Sequence, residues 1–238
     1  MDLRYQTTTN PTAPDDLLDT FDLDDVVVQE RSLPPYIGGL TQSAYQQTEE
    51  GMVDVESIDI YMNDEPENDH QALDDLYHEV IHAAQYDDLD GRVYEPEELE
   101  ALDLLHEGQS AANADQSSYR DAMMVYETFL QEVEHGKSPA EALEAVSEQY
   151  QMFAIELEEG ETPVKEYLAI DEDDGIEEDV AAYVSSVYGD EVADIEEIDY
   201  SEMDTAKIAD HLVSVQESID MAYDELATDA YDLPKAAR

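Results

Sequence analysis

The stretch Gln71-Ala72-Leu73-Asp74-Asp75-Leu76-Tyr77-His78-Glu79-Val80-Ile81-His82-Ala83-Ala84-Gln85-Tyr86 decides how the rest of the chain is read. Leu73, Tyr77, Val80, Ile81 and Ala84 recur at helical spacing, which predicts an α-helix with one buried stripe. His78 and His82 stand one above the other at the edge of that stripe, close enough to share a metal ion. Glu79 lies beside them, where a carboxylate acts as a base and not as a ligand. H-E-x-x-H on a helix is the pattern of a hydrolytic zinc site, in which three protein ligands leave one position open to water and the carboxylate takes its proton.

Upstream of this helix, residues 53–62 alternate apolar and polar side chains, as a strand with one buried face does. That strand runs into the helix through residues 63–69, where Asn68 or Asp69 can cap the helix start. Val26-Val27-Val28 and residues 40–47 read as two further strands, separated by Pro34-Pro35 and Gly38-Gly39. Residues 1–24 read as a loose arm with a short helix near residues 15–21. Downstream, helices are predicted at 97–113, 118–135, 138–152, 163–169, 176–188 and 201–230. Pro96 opens the first of these, Gly136 closes the second, and Ser138-Pro139-Ala140-Glu141 forms a capping box for the third. The expected fold class is α+β, with a small N-terminal sheet followed by a mainly helical C-terminal part. The expected division is an arm at 1–24, a metal-site core at 25–136 and a helical part at 137–238.

Composition narrows the functional classes. The 238 residues carry 64 acidic and 9 basic side chains, a formal net charge of -55, yet 42% are hydrophobic, enough for a real core. Acids interleaved with periodic apolar residues read as a solvated coat, which needs salt screening to fold. The four lysines and the many acidic surface helices resemble proteins of salt-accumulating halophilic archaea. Nothing in the chain could neutralise a row of phosphates, so neither nucleic acid nor an anionic membrane is an expected partner. The start lacks a basic, apolar leader and no stretch could span a bilayer, so a soluble, cytoplasmic product is expected, or a virion component if a virus encodes it. With no cysteine, thiolate ligands and a cysteine nucleophile are excluded.

Three downstream residues are candidates for the third ligand. Asp88 stands where H-E-x-x-H-x-x-G-x-x-H/D enzymes keep theirs, although Gln85 replaces the glycine that turns the chain back. Glu107 follows His82 at a distance from which a second helix can return, and His106 is adjacent but about 100° away around that helix. His78-Glu79-Val80-Ile81-His82-Ala83-Ala84-Gln85, followed by Glu107-Gly108-Gln109-Ser110-Ala111, resembles the zincin metallopeptidases of the gluzincin type over about residues 53–120. The resemblance implies a sheet whose edge strand runs beside the motif helix and holds extended peptide. It implies Zn2+ bound by His78, His82 and Glu107, Glu79 as the general base, and Gly108 allowing close approach to the metal. Where many gluzincins carry an Asp to orient a histidine, this chain has Ala111, with Asp103 and Asp115 as substitutes. Tyr119, Tyr126, His135 and His211 are possible oxyanion donors, none of them assigned.

The function expected is therefore a zinc-dependent peptidase acting on peptide or protein in high salt. The alternative is a catalytically idle zincin-like structural or interaction module. The charge generates a first prediction. Cooperative structure should be lost as KCl falls from about 1 M toward about 0.1 M, where the screening length grows from roughly 3 Å to roughly 10 Å. Circular dichroism across a KCl series measures this, and a native fold persisting at the low end without divalent ions would sink the halophilic reading.

Overall fold

The computed structural model describes residues 14–23, 25–33, 38–48, 50–64, 69–114, 119–157, 164–171, 180–188, 192–198, 200 and 203–232. They divide into two compact units, Met1–Val93 with Val213–Arg238, and Tyr94–Leu212. The fold class is α+β.

In the first unit β1 (Val27–Arg31), β2 (Gly39–Gln47) and β3 (Val53–Asn63) form a sheet of order β1-β3-β2. The predicted strand into the motif helix is thus the central one, parallel to β1 and antiparallel to β2. The β2–β3 hairpin turns on Thr48, whose hydroxyl accepts from the amides of Glu50 and Met52, and on Gly51, whose φ of 79° favours glycine. A bulge opposite Ala44 and Tyr45 slips the pairing by one residue. It also shifts the buried phase of β3 from Val53 and Val55 to Ile58 and Ile60.

The motif helix, α2 (Asp69–Leu89), lies on this sheet. Leu76, Val80, Ala83 and Ala84 pack with Ile58 and Ile60, and with Leu17, Leu18 and Leu23 from and just after α1 (Pro14–Thr20). The expected arm therefore contributes to the core from residue 17 onward, while 1–13 and 24 lie outside the described residues. Ile81 packs elsewhere, against Val215 and Ile219 of α7 (Thr205–Asp232), and Tyr77 stacks on Tyr223 with ring centroids 5.3 Å apart. Helix α2 is therefore buried on two sides. The Asn68 cap also lies outside the described residues.

The second unit contains α3 (Pro96–Ala114), α4 (Arg120–Glu134), α5 (Pro139–Gln149), β4 (Tyr150–Leu157), β5 (Val164–Asp171), α6 (Val180–Tyr188), β6 (Val192–Ile198) and the beginning of α7. The capping box of α5 forms as expected. Ser138 Oγ accepts from the Glu141 amide, and Glu141 Oε2 accepts from the Ser138 amide at 2.9 Å. The predicted helix at 138–152 stops at Gln149, however, and the predicted helix at 163–169 is strand β5. With β6 they make a second antiparallel sheet of order β5-β4-β6. The C-terminal part therefore carries a three-stranded sheet that was not expected, beside helices α5, α6 and α7. Met152, Phe153, Ala154 and Ile155 are buried in succession in the central strand, so the two-residue alternation that marks a strand is missing. Residues 172–179, including the predicted start of α6, lie outside the described residues. Among the described residues no helix is long and apolar enough to cross a membrane.

Gly108 lies where α3 meets α4. A Cβ there would lie 2.2 Å from the Ala122 carbonyl oxygen and 2.9 Å from Tyr126 Cβ, so the glycine permits a close crossing of α3 and α4. Gly108→Ala gains about 1 kcal/mol of helix propensity, but the clash is with backbone and must move a helix. The variant should lose about 1–3 kcal/mol net, measured by denaturant unfolding in molar salt.

Candidate metal centre

The two histidines face one another along α2. His78 Nε2 and His82 Nε2 are 3.1 Å apart and their ring planes are near perpendicular, at 81°. Two nitrogens bound at 2.0–2.1 Å to one tetrahedral zinc stand about 3.3 Å apart, so the pair fits a shared ion with a small adjustment. Without an ion the same approach is a hydrogen bond, with one ring donating to the other. His82 Nδ1 lies 2.8 Å from Gln85 Oε1. A proton on Nδ1 donated to that amide oxygen turns the Nε2 lone pair toward His78, the tautomer a metal ligand needs. Gln85 is fully buried, and His78 is 3% exposed, so both are set by packing as well as by hydrogen bonds.

Glu79 is buried beside them, 6% exposed, and is held from the sheet side. Thr41 Oγ1, on edge strand β2, is 2.8 Å from Glu79 Oε2 and 2.9 Å from the Glu79 carbonyl oxygen. Two glycines allow the strand this close. A Cβ on Gly39 would fall 2.5 Å from Glu79 Cγ, and one on Gly38 would fall 1.9 Å from Asp75 Oδ2. Asp75, one turn before Glu79, is itself buried. Burial pushes its carboxyl above the usual carboxylate range and the neighbouring charge of Glu79 adds to this, while His78 pulls it part of the way back.

His78, Glu79 and His82 are thus brought together within the first unit. Glu107 is on α3 in the second unit, where it is half-buried. The other two candidate ligands are engaged otherwise. Asp88 forms an ion pair with Arg92 at 2.6 Å and accepts from Ser214 Oγ at 3.1 Å. His106 Nε2 is 2.7 Å from His211 Nε2, both rings buried. That contact also engages His211 among the possible oxyanion donors, and buried Tyr126 accepts from Gln109 Nε2 at 2.9 Å. His135 caps the C-terminus of α4 and Tyr119 stands at its N-terminus. Asp103 is half-buried and its charge adds to the burial that raises the Tyr200 hydroxyl, while Asp115 lies outside the described residues.

Comparison with protein families, with curated proteins and with solved structures finds no match. The residues that sequence reasoning missed are Asp75, Gly38, Gly39 and Thr41. The i, i+4 spacing of Asp75 and Glu79 on a mostly buried helix is a readable signal, whereas the strand residues 38 or so positions away give none.

The raised carboxyl of Asp75 makes a pH prediction. Folding works against a carboxylate held above its ordinary value of 3.8, so its penalty is absent below about that pH and complete once the pH exceeds the folded-state value. Asp75→Asn should therefore unfold at a higher temperature than the wild type near neutral pH. The advantage should vanish as the pH is taken below the ordinary Asp range, a comparison made by calorimetry at matched salt.

Proposed function

We propose that this chain is a zinc-dependent peptidase in which His78, His82 and Glu107 hold Zn2+ and Glu79 is the general base, working in high salt on a peptide or protein substrate. The observation that carries the reading is the 3.1 Å approach of the two Nε2 atoms, with the Glu79 carboxylate fixed beside them on the same helix. Glu107 is preferred as the third donor because Asp88 is committed to Arg92 and Ser214, and His106 to His211. A zincin-like arrangement agrees with edge strand β2 meeting the motif helix through Thr41.

Bound zinc supplies Lewis acidity toward a carbonyl and toward water. The remaining work belongs to the chain. Gln85 fixes the tautomer of His82, and burial holds the His78 ring before any ion arrives. Glu79 accepts the proton of the attacking water and passes it to the leaving amine, so the carboxylate is regenerated at the end of the cycle. Exclusion of bulk water around Glu79 strengthens its electrostatic effect on a developing charge.

Metal analysis and peptide hydrolysis in molar salt test the reading together. Glu107→Ala should empty the site, while Asp88→Asn and His106→Gln should keep zinc near one per chain. Glu79→Gln should also retain zinc, with hydrolysis falling by roughly 10²-fold to 10⁴-fold. If Asp88→Asn alone empties the site, Glu107 is not the ligand. If the zinc-loaded wild type cleaves no member of a diverse peptide library, the chain is an idle module.

A further inference from the structure

Gly39 and Thr41 are two apart in β2, so they present to the same side of the strand, and both meet Glu79. The stem of the glutamate occupies the space that a side chain at position 39 would take, with Cγ at 2.5 Å and Oε1 at 3.0 Å from the site of a Cβ. Two residues further on, the Thr41 hydroxyl reaches Oε2 at 2.8 Å. A hydroxyl has one proton to give, and an ionised carboxylate is a stronger acceptor than the backbone carbonyl it also approaches.

A carboxylate next to two converging imidazoles has the chemistry of a metal ligand as much as that of a base. Its role is decided by where its oxygens are held. We propose that Gly39 and Thr41 are positioning residues that clamp Glu79 from the strand side and keep its carboxylate out of the coordination sphere of an ion at His78 and His82. The inference rests on the metallohydrolase reading above. Thr41 takes Oε2, leaving Oε1 to accept a proton, and Gly39 leaves room for the glutamate side chain that any larger residue there would displace. The clamp comes from a different element than the ligands, so it can hold the base without disturbing the i, i+4 geometry of the histidine pair.

The test replaces zinc by Co2+, whose visible absorption reports the number and geometry of its ligands. In Thr41→Val, which keeps shape and loses the hydroxyl, the spectrum should change from the wild type's toward a weaker, higher-coordinate form as Glu79 joins the metal. The kcat for peptide hydrolysis should fall by about 10-fold to 100-fold with KM little changed. Thr41→Ser should restore both, and Thr41→Ala gives the same comparison if the valine variant does not fold. A wild-type spectrum and kcat in the hydroxyl-less variant, even with lowered stability, overturns the clamp while leaving the metal site intact. Failure of the wild type itself to bind Co2+ overturns the metal reading, and the clamp with it.

Discussion

The hydrogen bond between Thr41 and Glu79 joins the motif helix to the edge strand at a point where a buried carboxylate must be satisfied. Helix α2 has to bury apolar residues toward both the sheet and α7, and doing so also takes Asp75, His78, Glu79 and Gln85 out of water. A buried carboxylate is tolerable only with a donor to replace its hydration. Thr41 supplies one for Glu79, and does so from an edge strand whose backbone can come close because residues 38 and 39 lack side chains. Enlarging either glycine would separate strand from helix and remove the donor, so packing and polar satisfaction are one constraint here.

What the sequence made legible was local. His78, Glu79 and His82 are related by one helical turn, and the helix is recognisable from its own apolar spacing, so their convergence follows without knowledge of the rest. The strand β3 was legible for the same reason, even across its bulge. Thr41 and Gly39 were not, because their meaning depends on the register of β2 against α2, and the exposure of β2 follows no clean alternation. In the second unit the failures have two causes. The four consecutive buried residues of β4 suit a buried helix end as well as a strand. In β6 the better-buried Val192, Ile195 and Ile198 stand three apart, a helical interval, and pairing with β4 overrides it.

Charge adds a second layer of selection. With 9 basic residues against 64 acidic, cations are scarce, and Arg92 and Lys207 occupy junctions between elements. Arg92 bonds Asp88 and Ser214 and so ties the end of α2 to α7. Lys207 pairs with Glu98 and lies 4.7 Å from the Tyr94 ring centroid, which joins the start of α7 to the start of α3. For Glu98, burial acts to raise the carboxyl, but Lys207 and the amides of Glu95 and Asp204 outweigh it and hold the group below its ordinary value. Molar salt nearly silences exposed pairs but screens partly buried ones less. Arg92 and Lys207 thus sit where screening removes less, whereas the Lys137–Glu132 pair lies at the surface.

That economy bears on whether the centre performs chemistry. A chain with this much acid has every electrostatic reason to keep carboxylates on its surface, where screening salt reaches them. Instead α2 buries Asp75 and Glu79 one turn apart, close enough for the charge of one to raise the carboxyl of the other. Amides or apolar residues at these positions would fold with less opposition, and an idle module could carry them. Departures from the stability optimum concentrate where a site needs a particular group in a particular state. A buried glutamate bonded to a hydroxyl, next to two imidazoles whose Nε2 atoms stand 3.1 Å apart, is a costly arrangement for scaffolding, and it is the arrangement on which the proposed hydrolytic reading rests.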